Sequence, residues 1–209
     1  MKQYKAVIFD IDGTLLDTFE MNMVPLIRLL KEELGINLEI NQTYPYFFQP
    51  GITTMRQFGF PDPDASYARW VDAVNAYEKG AVPFEGVIEA LQALQEGSIR
   101  LAVVSSKNHS QYGIDMVRWD MDRFMETAVL EEDTQMHKPH PAPLLECLKR
   151  LRLQPEDALY VGDAPSDGKA AEAAGIDFGF AAWGAVQESG MPVGRFRFNS
   201  PAEMVQKIL

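Results

Sequence analysis

The chain has 209 residues, 46% of them hydrophobic, enough for a sizeable core in one domain or in a domain with a modest insertion. Acidic residues outnumber basic ones by 30 to 19, and the densest basic stretch is Lys149-Arg150-Leu151-Arg152, so neither nucleic acid nor anionic membrane is expected as a partner. The single cysteine, Cys147, excludes an internal disulfide; the start enters a strand rather than an apolar signal core, and no stretch approaches the roughly 20 apolar residues of a membrane span, so cytoplasmic residence is expected.

Ala6-Val7-Ile8-Phe9 is a short continuous apolar block, the pattern of a buried strand, and it leads into Asp10 and Asp12. From Asp17 to Pro83 no strand-like run appears, and a series of helical and aromatic segments looks like an inserted helical cap. One helix is predicted over Phe19 to Leu34, with Asp17 or Thr18 as N-cap, Gly35 as stop and a kink at Pro25. The aromatic run Tyr44-Pro-Tyr46-Phe47-Phe48-Gln49-Pro50-Gly51 reads as cap core. After the break at Pro61-Asp62-Pro63-Asp64, a second helix from about Asp64 to Lys79 should bury Tyr67, Trp70, Val71, Val74 and Tyr77.

Beyond Pro83, strand-like runs at 101–105, 128–130, 158–162 and 178–182 are separated by helical patterns. The first helix runs from Glu85 to Gln95, the second from Pro143 to Leu151 with Leu144, Cys147, Leu148 and Leu151 on its apolar side, and the third is an alanine-rich helix from Ser166 to Ala174 closed by Gly175. A last strand, Arg195 to Phe198, and a helix from Ala202 to Leu209 should finish the edge. Strands alternating with helices argue for an α/β, doubly wound and mostly parallel sheet. Its halves are residues 1–16 and 84–209, with the cap at 17–83.

Ligands of such a sheet bind at the carboxyl ends of the strands, where this chain places Asp10, Ser105 and Asp163. Gly162-Asp163-Ala164-Pro165-Ser166-Asp167 leaves a strand and opens a helix, so four carboxylates, Asp10, Asp12, Asp163 and Asp167, are expected at one mouth. A hard divalent cation resolves their mutual repulsion, and oxygen ligands with phosphate chemistry favour Mg²⁺. Lys138, in His137-Lys138-Pro139-His140-Pro141, supplies a cation from the loop after the third strand. The three histidines, His109, His137 and His140, have no partners at metal-ligand spacing and are read as structural or peripheral.

Asp10-x-Asp12-Gly-Thr-Leu-x-Asp17-Thr18, Ser105, Lys138-Pro-His-Pro and Gly162-Asp163-x-x-x-Asp167 resemble, in order, the four motifs of haloacid dehalogenase-like hydrolases. The resemblance is closest to the phosphoglycolate-phosphatase-like branch, and it covers essentially the whole chain. It implies that Asp10 is the nucleophile, forming an aspartyl-phosphate, and that Asp12 is the acid/base, its backbone carbonyl also a metal ligand. Ser105 and Lys138 would hold the transferring phosphoryl oxygens, Asp163 would bind Mg²⁺ directly, and Asp167 would coordinate through water or orient Lys138. Dehalogenases of the superfamily lack the carboxylate of Asp12, so the resemblance points to phosphoryl transfer. Ser105-Ser106 departs from the Thr-Asn of many relatives, which keeps the hydroxyl at Ser105 and puts in doubt only the contacts made at Ser106.

The expected activity is Mg²⁺-dependent hydrolysis of a small phosphomonoester by a monomer or small homo-oligomer. In capped relatives the region of the aromatic run selects the leaving group, which makes Gln49, Gly51, Thr53 and Arg56 candidates for substrate contact, Arg56 as a guanidinium able to meet a second anionic group. Two rivals use the same acidic cluster. A sugar-phosphate mutase would return the phosphoryl group to a reoriented intermediate, and a non-catalytic phosphorylation sensor would keep Asp10 labelled; the latter class lacks Gly-Thr-Leu after the nucleophile and the helical cap.

Overall fold

The computed structural model describes residues 3–47, 49–186, 190 and 192–209, so Phe48 of the aromatic run lies outside the described residues. The chain divides into two compact units, one made of Met1–Asp17 with Pro83–Leu209 and the other of Thr18–Val82.

In chain order, β1 (Ala6–Phe9) and the two-residue β2 (Leu16–Asp17) precede four helices: α1 (Phe19–Leu34), α2 (Tyr44–Phe47), α3 (Gly51–Phe58) and α4 (Pro63–Asn75). Then come β3 (Val82–Pro83), α5 (Val87–Glu96), β4 (Arg100–Val104), α6 (His109–Arg118), β5 (Thr127–Val129), α7 (Ala142–Leu151) and β6 (Ala158–Gly162). The last elements are α8 (Pro165–Ala174), β7 (Asp177–Ala181), β8 (Phe196–Phe198) and α9 (Pro201–Ile208).

The larger unit is built on a six-stranded sheet of order β5-β4-β1-β6-β7-β8, with every pairing parallel. All four residues of β1 are fully buried, as a central parallel strand covered on both faces requires. On one face, Ile8, Val104 and Tyr160 form a continuous core with Leu144, Cys147 and Leu148 of α7 and Ala170, Ala171 and Ala174 of α8. The small side chains of α8 let that helix approach the sheet closely. From β1 the chain builds toward one edge through β4 and β5, then crosses to the other side of β1 with β6. That reversal is a topological switch point, and it leaves a crevice at the carboxyl ends of β1, β4 and β6.

In the smaller unit, α1 buries Met21, Met23, Pro25, Leu26 and Leu30, and runs unbroken through Pro25. Gly35 closes it in the left-handed conformation at φ 70°, its N–H donating to the Lys31 carbonyl while the Ile36 N–H donates to that of Leu30. Thr18 occupies the N-cap position but makes no side-chain capping bond. Two expectations for the second long helix are corrected. It ends at Asn75 rather than Lys79, because the chain turns at Tyr77 to Gly80, and its inward row is Ser66, Trp70 and Val74. Tyr67 is 38% exposed; its ring flanks the buried row and meets Trp70 edge-on at 6.1 Å. The Trp70 indole N–H donates to the Asn22 carbonyl at 2.9 Å, tying α4 to α1.

Candidate active site

Three strand ends build the site. The Asp10 N–H donates to the Val161 carbonyl at 2.9 Å, extending the β1–β6 ladder by one residue, so the Asp10 side chain is fixed where the sheet ends. The Ser105 N–H donates to Val129 at 3.1 Å and holds the other flank. After β6, Asp163 enters the turn that starts α8, and Asp167 lies in the first turn of that helix.

Side-chain oxygens of Asp10, Asp163 and Asp167, all buried, come within 4.8 Å of one another. Lys138 reaches into this group, its Nζ 2.8 Å from Asp10 Oδ1 and 2.7 Å from Asp167 Oδ1. The peptide that follows it, Lys138–Pro139, is cis. Asp167 is fully engaged: Oδ1 also accepts from the Tyr160 hydroxyl at 3.0 Å, and Oδ2 accepts from the Ala164 N–H at 3.0 Å. Asp163 differs, because Oδ1 accepts from the Thr14 hydroxyl at 3.1 Å while Oδ2 is buried without a hydrogen-bond partner. Gly13, at φ 75°, passes directly beneath that carboxylate, and a Cβ there would overlap it.

The electrostatics follow from burial. Burial pushes the Asp10 carboxyl up to about 7, with Lys138 pulling it down and Asp167 and Asp12 pushing it further up. Asp163 is held well above the usual carboxylate range, first by burial and then by the charges of Asp167 and Asp10. Burial works against the Lys138 charge, yet Asp10 and Asp167 outweigh it and hold the ammonium well above its ordinary range. One ammonium against three buried carboxylates leaves a deficit of positive charge. A partnerless buried oxygen on Asp163 and an all-oxygen donor set fit a hard divalent cation at this point.

Three of the four expected carboxylates form this close group, while the fourth, Asp12, stands outside it yet near enough for its charge to act on Asp10. The Asp12 side chain is partly exposed and turned to another cation, Lys107, whose Nζ lies 3.0 Å from Asp12 Oδ1 and 2.7 Å from Asp115 Oδ2 on α6. β1 ends at Phe9, so the two-residue alternation of a strand no longer sets the direction of Asp12, and Asp10 and Asp12 need not converge. Reading the sequence also overlooked Lys107, Asp115 and Tyr160. Lys107 stands two residues beyond Ser105, close enough to have drawn notice, whereas Tyr160 looked like one more apolar residue of a buried strand.

Ser105 is buried, and its Oγ accepts from the Lys107 N–H at 3.3 Å; Ser106 beside it is exposed. Within the helical unit, Gln49 Nε2 donates to Thr54 Oγ1 at 2.8 Å and to Gln57 Oε1 at 3.2 Å. Gly51 starts α3 where a Cβ would overlap the Tyr67 and Trp70 rings, so packing alone accounts for a glycine there. Thr53 and Arg56 are exposed on the same helix.

A family model for haloacid dehalogenase-like hydrolases matches residues 7–181. A phosphoglycolate phosphatase of Nitrosospira multiformis is 33% identical over 82% of this chain and 80% of its own length. Pyrophosphatase PpaX of Bacillus velezensis is 26% identical over 87% of this chain and 85% of its own. Among solved structures, a HAD-superfamily hydrolase of subfamily IA from Geobacter sulfurreducens superimposes with a TM-score of 0.73 at 25% identity, covering 98% of this chain and 96% of that one.

Proposed function

The chain belongs to the haloacid dehalogenase-like hydrolase family, and we propose that it is a Mg²⁺-dependent phosphatase that hydrolyses a small phosphomonoester through an aspartyl-phosphate on Asp10. The observation that carries this reading is the buried group of Asp10, Asp163 and Asp167 with Lys138 among them and one oxygen of Asp163 left without a partner.

Asp10 and Asp163 would hold the ion with their side chains and Asp12 with its backbone carbonyl, while Asp167, whose two oxygens are already occupied, orients Lys138. A bound Mg²⁺ supplies charge neutralisation for the carboxylates and the phosphoryl oxygens. Asp10 attacks phosphorus in line, the bond from phosphorus to the leaving oxygen breaks, and Asp12 delivers a proton to that oxygen. Asp12 then takes a proton from the water that attacks the aspartyl-phosphate; the acyl phosphate bond breaks and Asp10 is regenerated with release of inorganic phosphate. Lys138 and Ser105 hold negative charge on the phosphoryl oxygens in both steps. In this reading the helical unit is the cap, and Thr53, Arg56 and Gln57 are exposed polar residues of its α3.

The test is phosphate release from a panel of phosphomonoesters with pyrophosphate included, because relatives carry the names phosphoglycolate phosphatase and pyrophosphatase. Chelation should stop release and added Mg²⁺ restore it. Rapid-quench labelling should detect phosphoenzyme in the native protein and none in Asp10→Asn. Normal turnover by Asp10→Asn sinks the covalent route, and an isomerised sugar phosphate in place of free phosphate means a mutase.

A further inference from the structure

Lys107 lies outside the acidic cluster, yet it is 7% exposed and carries a full charge on a buried stem. An ammonium stays buried only when it is paired. Its nearer partner is Asp115 at 2.7 Å, itself buried, and its farther partner is Asp12 at 3.0 Å, whose side chain is 30% exposed. The backbone of Lys107 is pinned as well: its N–H donates to Ser105 Oγ, and its carbonyl accepts from the Glu131 N–H at 2.9 Å. Asp115 is placed by α6, whose first turn is closed by reciprocal Asn108 and Gln111 side-chain bonds to each other's backbone N–H groups.

These contacts form a chain of three charged groups, Asp115–Lys107–Asp12, ending at the carboxylate assigned above to proton transfer. We infer that Lys107 is the positioning residue for Asp12, held by Asp115 so that it can fix Asp12 Oδ1 in place. The inference rests on the acid/base reading of Asp12. Its physical content lies in the unequal pair of partners. Asp115, buried and nearer, anchors the ammonium, and the partly exposed Asp12 is the carboxylate that the anchored ammonium holds in place. The logic is that of a base oriented by a second group that is itself anchored by a third.

Single removal of Lys107 would leave Asp115 buried and unpaired, so the variant to use is Lys107→Met combined with Asp115→Asn, with Asp12→Asn as reference. The readout is kcat/KM for an alkyl phosphate, whose alkoxide needs a proton to depart, against p-nitrophenyl phosphate, whose phenolate does not. The alkyl-to-aryl ratio should fall roughly 10- to 100-fold in the double variant, in the same sense as in Asp12→Asn. With the aryl ester, the double variant should also show a burst of nitrophenol followed by slow turnover, because the same carboxylate activates water. Parallel loss on both substrates, without a burst, overturns the positioning role. If Asp12→Asn itself leaves the ratio unchanged, the acid assignment falls and the inference with it; if Asp12→Asn lowers the ratio and the double variant does not, only the inference falls.

Discussion

Replacing Asp163 with asparagine should stabilise the metal-free protein and abolish its response to Mg²⁺. Both Asp10 and Asp163 have carboxyls raised in the folded state, so the fold prefers their neutral forms. Their contribution to stability is therefore fully present below the unfolded carboxylate range, near 4, and is lost as pH rises through the folded values. For Asp10 the rise from 3.8 to about 7 corresponds to about 4 kcal/mol lost by pH 8, at roughly 1.4 kcal/mol per unit. Asp163 suffers in the same direction with no cation opposite its free oxygen. Asparagine keeps the acceptor that Thr14 uses, is uncharged, and offers an NH₂ where Oδ2 lacks a partner. Removing that charge should gain on the order of 1–3 kcal/mol in chelator at pH 8, a rise in Tm of about 2–12 °C for a chain of this size. At lower pH the gain should shrink, because the raised native carboxyl takes up its proton more readily than an ordinary one. Mg²⁺ at 100 times its Kd should add about 2.7 kcal/mol to the native protein and little to the variant, eroding or reversing their order. Thermal melts at pH 5 and pH 8, with chelator and with Mg²⁺, measure all four corners. A variant that melts below the native protein in chelator at pH 8, or that gains as much from Mg²⁺, would refute the reasoning.

Lys138→Met strands Asp10 and Asp167 in the interior and should cost about 3–5 kcal/mol in urea unfolding at pH 8 without metal, and less at pH 5, where Asp10 takes up a proton. Gly13→Ala must place a side chain at positive φ and displace the Asp163 carboxylate, so it should lose at least about 1 kcal/mol and with it the Tm response to Mg²⁺. Cys147 is on the buried face of α7, and burial pushes its thiol up to about 12, so a thiol reagent should label it only as the protein unfolds; rapid labelling of the native protein would show that α7 opens locally.

Much of the sheet was legible because buried parallel strands announce themselves as short apolar blocks. The runs at 101–105, 158–162 and 178–182 became β4, β6 and β7 within a residue at each end. The helical unit was harder to read. Four- and eight-residue helices such as α2 and α3 are too short to show a period, and Ser66 took an inward position that pattern reading gave to Tyr67. At the site, motif spacing brought out Asp10, Asp163 and Asp167, each at a strand end or helix start, and Lys138 in the loop before α7. Which way a side chain turns there is decided by distant partners. Asp12 faces Lys107 because Asp115, more than 100 residues later, holds that lysine in place, and nothing local to Asp12 announces it.

The order of the strands in the sheet also bears on synthesis. β1 leaves the ribosome before both of its neighbours, β4 and β6, so Ala6 must wait for Arg100 on one side and Ala158 on the other. Until residue 158 has emerged, this wholly apolar strand has at least one bare edge, open to pairing with another molecule. Residues 18–82, with helix contacts mostly close in sequence, can form in the interval. Chains truncated before β6 should therefore aggregate through β1 although their helical segment folds, and the full chain should refold on the slow timescale of a sheet whose central strand is completed last.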